Sequence, residues 1–561
     1  MKPVAYLAPL AAVLVSTSGV AGAQTRSNPE PSIVAGTPVV RFADMGPVAP
    51  SMPVRLTVVL KNRNEPDLEA LSRDRSDPQS PLAGRALTVE QFRNYFAPTP
   101  QAYASAMQTF VREGFRIERT YATGTVFDVV GTAAAVDRTF NTVLHRARTA
   151  RFLGYANVTP AYLPAALASS VAGVAGFDDL PKMSTYLQRS PRRMAPLALG
   201  GRLQGPDTGY SPYAFADAYN FPSQHRIGKT PATYDGTGQA AAIVIDSDFK
   251  NSDLAGFLRY FKIKRTGGIV RVDVDGGPAD PSGFGEATLD VETLASLVPG
   301  ATVYLYLIPT IQSSQNILDA YAQINSDDKV GVVNNSFGGC ESTQNPANFP
   351  GLTNVLAREG NALGITYVAA TGDEGAQFLC PPKSTGSPDG VSTPASGTYF
   401  TAVGATTLFL KPDGQYLFEY GWSGTGGGYS VKFPMPSFQD IPRVRSIAYL
   451  RRTIPDISFD GDPGSGASWY IDGGWEGPIG GTSLSSPIFC ALVTQWNQMK
   501  NARITGMNAG LYSAFQTFGY AKNFTDITFG NNYYNARPGY DLVTGIGSID
   551  GWNFAKAALG V

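Results

Sequence analysis

Histidine is nearly missing from this chain: 561 residues contain two, His145 and His225. A hydrolytic serine usually hands its proton to a histidine, and neither is well placed for that. His145 reads as a surface helix end beside Arg146, and His225 sits in the polar stretch Pro222-Ser223-Gln224-His225-Arg226. A Ser-His-Asp site is therefore disfavoured. Three cysteines are too few for a disulfide-built scaffold, and no zinc-ligand spacing occurs. Cys340 and Cys380 lie in Gly/Pro-rich loop sequence and could pair, whereas Cys490 sits in an apolar run and reads as a buried thiol. Charged residues make up 16% and the net charge is -1, which argues against a nucleic-acid binder. Beyond the N-terminal region no apolar run is long enough to span a bilayer.

What is present suits a globular protein of more than one domain: 43% hydrophobic residues, 61 glycines and 41 prolines over a length too great for one core. Met1-Lys2, an apolar run from Val4 to Val20 and Ala21-Gly22-Ala23 predict a signal peptide, residues 1–23. Pro9, Ser16, Ser18 and Gly19 interrupt the run, so stable membrane insertion is not expected, and the protein is expected outside the cell or in a periplasm. Residues 24–41 read as a flexible leader. From 42 to 189 strands such as Val54–Leu60 and Thr125–Val130 alternate with helices near 88–96, 102–114 and 133–143, enough for a compact α+β domain. Residues 190–209, with Arg192-Arg193 and several Gly and Pro, read as an exposed, cleavable linker.

The remainder, 210–561, carries near-continuous apolar strands at 241–246, 302–307, 330–335 and 364–370, separated by helices near 286–297, 314–325 and 352–362. Strands buried on both faces with crossover helices predict a mostly parallel α/β sheet. Sites on such sheets lie beyond the strands' carboxyl ends, where Asp246, Ser336 and Asp373 fall.

Gly480-Gly481-Thr482-Ser483 precedes the apolar run Ile488–Trp496. A serine there is exposed at a tight turn, with the first N–H groups of a helix around it and Pro487 tolerated in the first turn. A turn that merely caps a core helix explains the same letters. Glu286 and Asp290, at i and i+4, share one face of a helix whose Leu289, Val291, Leu294 and Leu297 pack in the core. Such a pair raises one member's pKa and can act as a base without histidine. Asp373, in Thr371-Gly372-Asp373-Glu374-Gly375, can donate a hydrogen bond to an oxyanion if it stays protonated.

Together these residues resemble the sedolisins, the serine-carboxyl peptidases, over nearly the whole expected mature and precursor chain. The resemblance implies a subtilisin-like fold preceded by an α+β (ferredoxin-like) activation domain that serves as intramolecular chaperone and inhibitor. It implies Ser483 as nucleophile, Glu286 as general base, Asp290 as the acid that orients it and Asp373 as oxyanion donor. Near the C-terminus it implies one calcium ion, held by carboxylates of Asp526 and Asp541 and carbonyls of Ile527, Arg537 and Gly539. The expected activity is a secreted, acid-acting endopeptidase made as a monomeric zymogen, cleaving itself between about residues 190 and 210. A tripeptidyl-peptidase of the same family and a catalytically inactive binding protein of the same fold are the alternatives. Where relatives extend the acid network with a glutamate and a tryptophan, this chain has Asp246 and Phe337, with Asp248 as a possible relay.

Overall fold

The computed structural model describes residues 32–76, 85–150, 152–180, 183–189, 201–230, 232–279, 284–343, 349–381, 387–517 and 519–559. The expected signal peptide and positions 190–200 of the expected linker lie outside them.

The N-terminal part is built on an antiparallel sheet of β1 (Pro53–Leu60), β2 (Arg116–Thr120), β3 (Val126–Thr132) and β4 (Val171–Ala175), in the order β2-β3-β1-β4. Two helices, α1 (Pro100–Arg112) and α2 (Ala133–Phe140), complete a β-α-β-β-α-β order. Local chemistry sets the helix ends. Thr99 caps α1 ahead of Pro100, and Thr88 with Gln91 forms a reciprocal capping box on the preceding short helix. Phe110, Phe115, Phe127 and Phe140 fill the core between α1, α2 and the sheet.

Three expectations change here. The helix predicted over 133–143 stops at Phe140, because Asn141 takes the left-handed conformation (φ 47°) that asparagine tolerates. His145 lies on the strand Leu144–Arg148, not at a helix end, with Nδ1 2.7 Å from Asp44. The leader is partly structured: Ile33–Ala35 pairs with Ala161–Tyr162, burying Val34 and Ala35.

The larger part carries an eight-stranded sheet. Its strands are β5 (Ala240–Ile245), β6 (Ile269–Asp273), β7 (Thr302–Leu307), β8 (Val332–Asn335), β10 (Thr366–Ala370), β11 (Phe400–Leu410), β12 (Tyr416–Gly421) and β13 (Ile457–Asp460), with β9 (Phe337–Cys340) outside it. The path runs β6-β7-β5-β8-β10-β11-β12, β13 joins β11, and every pairing is parallel except β11 with β12. Alternate residues of β5 face opposite cores. Ala241, Ile243 and Ile245 meet α3 (Phe284–Leu297) and the long helix α6 (Thr482–Lys500), while Ala242 and Val244 meet α4 (Ser314–Asp327) and α5 (Phe349–Ala362).

The free face of the N-terminal sheet packs on α4 and α5: Val59, Val126 and Ala175 share one apolar cluster with Ile317 and Leu352. Residues 201–209, expected to be exposed, are instead bound to the larger part. Leu203 is buried, and the Asp207 carboxylate accepts the N–H groups of Trp469 (2.9 Å) and Gly477 (3.1 Å).

Candidate active site

Ser483 lies in the first turn of α6, just after Gly481, which caps the helix at φ 102°. A Cβ at Gly481 would fall 2.5 Å from Asp373 Oδ2 and 1.9 Å from the carbonyl oxygen of Tyr186. Only glycine fits both that conformation and that approach. Pro487 sits farther in than the sequence suggests, because α6 begins at Thr482. Its missing N–H removes the i→i−4 donor to the Ser483 carbonyl. The serine is also not exposed: it is fully buried, and its N–H donates to the Tyr186 carbonyl at 3.3 Å. The cover is residues 183–189, which cross above it.

Glu286 and Asp290 occupy one face of α3, where everything from Glu286 to Leu297 is buried. Burial, reinforced by the charge of Asp290, pushes the Glu286 carboxyl well above its ordinary range; the nearby Ser483 hydroxyl opposes the rise, and Asp373 and Asp246 add to it. Ser483 Oγ donates to the Ser336 carbonyl at 3.2 Å, and neither Glu286 oxygen has a well-formed hydrogen bond among the described residues. Asp290 Oδ1 accepts from Ser336 Oγ at 2.7 Å, and burial raises Asp290 to about 8 against that hydrogen bond. Asn334 continues the chain: its Nδ2 donates to Ser336 Oγ (2.9 Å) and its Oδ1 accepts from Ser486 Oγ (2.5 Å).

Asp373 follows β10. Its Oδ1 accepts the Thr482 N–H at 2.7 Å and the Thr482 hydroxyl at 2.8 Å, while Oδ2 makes no well-formed hydrogen bond among the described residues, the Gln188 side chain lying near the carboxyl. Burial raises this carboxyl to about 8, opposed by Thr482 and helped by the charge of Glu374. A proton on Oδ2 is therefore aimed at the space beside Gly481 that the Tyr186 carbonyl borders. Ser483, Glu286, Asp290 and Asp373 thus come together from α6, α3 and the end of β10. The histidines do not join them: His225 stacks on Trp552 at 4.0 Å and bonds Asn220 at 2.9 Å.

Asp248 is held by Arg271 at 2.6 Å, and Asp246 Oδ2 accepts the Ile311 N–H while its charge acts on Glu286. Phe337 is buried in β9. Cys340 and Cys380 form a disulfide that ties β9 to the loop after Asp373, and Cys490 is a buried free thiol. Sequence reasoning missed the work of Asn334 and of the Thr482 hydroxyl. The signal was Asn334-Asn335-Ser336 closing an otherwise apolar strand, since polar side chains in a doubly covered strand need partners.

Two groups of acids bear on metals. Asp128, Asp275 and Asp319 offer oxygens within 4.8 Å of one another, a grouping able to hold a metal ion. Here the Arg55 guanidinium reaches all three, at 2.7, 2.9 and 2.6 Å, and Arg119 reaches Asp275 at 2.9 Å. Asp526 and Asp541 flank the loop expected to bind calcium. Asp526 accepts from the Tyr520 hydroxyl and the Gly539 N–H, and Asp541 from the N–H groups of Arg537, Val543 and Thr544. No cationic side chain is paired with either among the described residues, and their oxygens accept only backbone N–H and hydroxyl donors.

The fold is that of a subtilisin-type hydrolase in which carboxylates surround the serine. A model of the subtilase family matches residues 282–510, and one described as the pro-kumamolisin activation domain matches 41–180. Sedolisin from Pseudomonas sp. (strain 101) is 30% identical over 521 residues, covering 88% of this chain and 85% of that protein. Kumamolisin from Bacillus sp. (strain MN-32) is 29% identical, covering 92% and 93%. Tripeptidyl-peptidase 1 of Bos taurus is 27% identical, covering 90% and 92%. A solved structure of Pseudomonas sedolisin, a serine-carboxyl proteinase, superposes with a TM-score of 0.54 at 29% identity, covering 63% of this chain and 98% of that one. The chain belongs to the sedolisin family of serine-type peptidases, with an N-terminal activation domain of the pro-kumamolisin kind.

Proposed function

We propose that this protein is a secreted, acid-acting serine-carboxyl endopeptidase, made as a monomeric zymogen whose N-terminal part, residues 42–189, chaperones and inhibits the catalytic part, 210–561. Ser483 attacks the peptide carbonyl as Glu286 removes its proton. Asp290, steadied by Ser336, orients Glu286, and Asp373 donates from Oδ2 to the developing oxyanion. Glu286 then protonates the leaving amine, and water releases the acyl group from Ser483. The observation that carries this reading is the Asp373 carboxyl, with one oxygen filled twice by Thr482 and the other on the side of Gly481 that the Tyr186 carbonyl borders.

An endopeptidase is favoured over a tripeptidyl-peptidase because, among the described residues, 183–189 run through the cleft with chain on both sides of the three residues before Leu187. Ser184, Thr185 and Tyr186 are those three, and Met183 continues beyond them, held by Gln312. One calcium ion would be held by Asp526 and Asp541 with carbonyls of Ile527, Arg537 and Gly539, and would brace the C-terminal loop. No described helix is long and apolar enough to cross a membrane, which is compatible with export.

The test is the Ser483→Ala zymogen beside the wild type. After acidification it should keep the wild-type circular dichroism spectrum but lose both self-processing and protein hydrolysis. Undiminished hydrolysis would remove Ser483 from the mechanism.

A further inference from the structure

Residues Met183–Arg189 lie across the site as an extended chain clamped on both sides of Ser483. Toward the amino end, Ser184 and Thr185 pair antiparallel with Gly338 and Phe337 of β9. Toward the carboxyl end, Gln188 and Arg189 pair with Gly480 and Ile479, the strand that leads into the Ser483 turn. Between the clamps the Tyr186 N–H donates to the Ser336 carbonyl at 3.2 Å, and the Tyr186 carbonyl accepts from the Ser483 N–H at 3.3 Å. That carbonyl also rests on Gly481, on the side from which Asp373 Oδ2 approaches. The peptide bond after Tyr186 is thus the one presented to the nucleophile.

Side chains hold the same register. The Tyr186 hydroxyl lies 2.9 Å from Ser392 Oγ. Glycines line its slot: a Cβ at Gly338 would sit 2.7 Å from that hydroxyl, and one at Gly372 would sit 3.5 Å from the ring. The Cys340–Cys380 disulfide joins the two walls. Past the bond, Arg189 pairs with Glu476 at 3.1 Å and stacks over Trp469 at 4.8 Å.

We propose that Met183–Arg189 is a substrate bound in productive register, that Tyr186–Leu187 is the first bond the zymogen breaks, upstream of the 190–209 stretch, and that the cleft selects an aromatic residue on the acyl side of the cut. The proposal rests on the catalytic roles proposed above. Ser483 Oγ forms an ester with the Tyr186 carbonyl carbon, and the C–N bond to Leu187 breaks. The serine proton passes through Glu286 to the Leu187 amine. One water then adds to the ester, leaves a carboxyl group on Tyr186 and restores the Ser483 hydroxyl.

The experiment follows the full-length zymogen after acidification by intact mass and N-terminal sequencing. The earliest products should be a chain beginning at Leu187 and its partner ending at Tyr186. Tyr186→Gly should slow this first cut at least about tenfold, and Tyr186→Phe by much less, in line with the discrimination an apolar pocket provides. The processed enzyme should cut a synthetic peptide of sequence 183–189 between tyrosine and leucine. If the earliest new terminus falls between 190 and 210 while the 186–187 bond stays whole, and the enzyme still hydrolyses protein, the register is wrong although the catalytic reading stands. If the wild type hydrolyses nothing, the catalytic reading fails and takes this proposal with it.

Discussion

Thr482 donates twice to a single oxygen of Asp373, from its backbone N–H at 2.7 Å and its hydroxyl at 2.8 Å. The residue before the proposed nucleophile therefore decides which oxygen of the proposed oxyanion donor carries the proton. Gly372 N–H in turn donates to the Thr482 hydroxyl at 3.1 Å, so the two loops lock each other. A donor held by such fixed contacts costs no reorganisation during reaction, which is where electrostatic stabilisation gains most.

Replacing Asp373 with alanine should lower kcat by about 10²–10³-fold, the usual cost of one oxyanion donor. Asp373→Asn should retain more activity, since its amide can donate toward the same space. A steady-state comparison at one acidic pH checks the order; equal losses would mean that donation from this position is not what matters.

The pH response follows from the direction of the shifts. Burial raises Asp290, Asp373 and Glu359 to about 8 from 3.8, 3.8 and 4.5. The folded state therefore holds protons that the unfolded state has released. The stability these groups contribute is full below about 4 and is lost as pH rises through about 8. Thermal unfolding of the Ser483→Ala zymogen should give a Tm that declines from pH 4.5 to 8, with a shallower decline when Asp373→Asn is added. Peptidase activity should fall through the same upper range, as Asp373 loses the proton it donates.

Ser336→Ala removes the hydroxyl that joins Asn334 to Asp290 without touching Ser483 directly. The expected result is a loss of kcat of about tenfold or more with little change in KM, and a displaced pH profile, because Asp290 loses a donor that favours its ionised form. A change confined to KM would place Ser336 in substrate binding instead.

Arg55 binds Asp275 and Asp319 of the larger part as well as Asp128 of its own sheet. Arg55→Ala leaves the buried Asp319 without its counter-charge and Asp128 and Asp275 with Arg119 alone, and breaking a buried pair of this kind costs about 3–5 kcal/mol. The N-terminal part should then separate more readily, seen as faster processing and weaker inhibition when the two parts are mixed in trans. Unaltered inhibition constants would assign the docking energy to the apolar contacts of Val59, Val126 and Ala175.

Chelation should test the Asp526–Asp541 loop. With a calcium chelator the mature enzyme should lose several degrees of Tm, restored by calcium, while Asp541→Asn should sit near the chelated value and respond little to added calcium. Identical melting curves with and without chelator would remove the ion from this loop.

Patterns local in the chain were legible from the sequence alone. Continuous apolar runs announced doubly covered parallel strands, and the i, i+4 spacing of Glu286 and Asp290 put both on one face of α3. The near-absence of histidine pointed to carboxylates as the base, and the family resemblance named their roles. Tertiary structure alone decided what depends on distant segments meeting. It buried Ser483 beneath Tyr186, nearly 300 residues earlier in the chain, made Thr482 the partner of Asp373, turned Asp248 toward Arg271 and filled an acidic trio with Arg55. Those contacts rest on side chains whose burial, charge and partners exist only once β9, β10, α3 and α6 have converged, so no pattern of neighbouring letters encodes them.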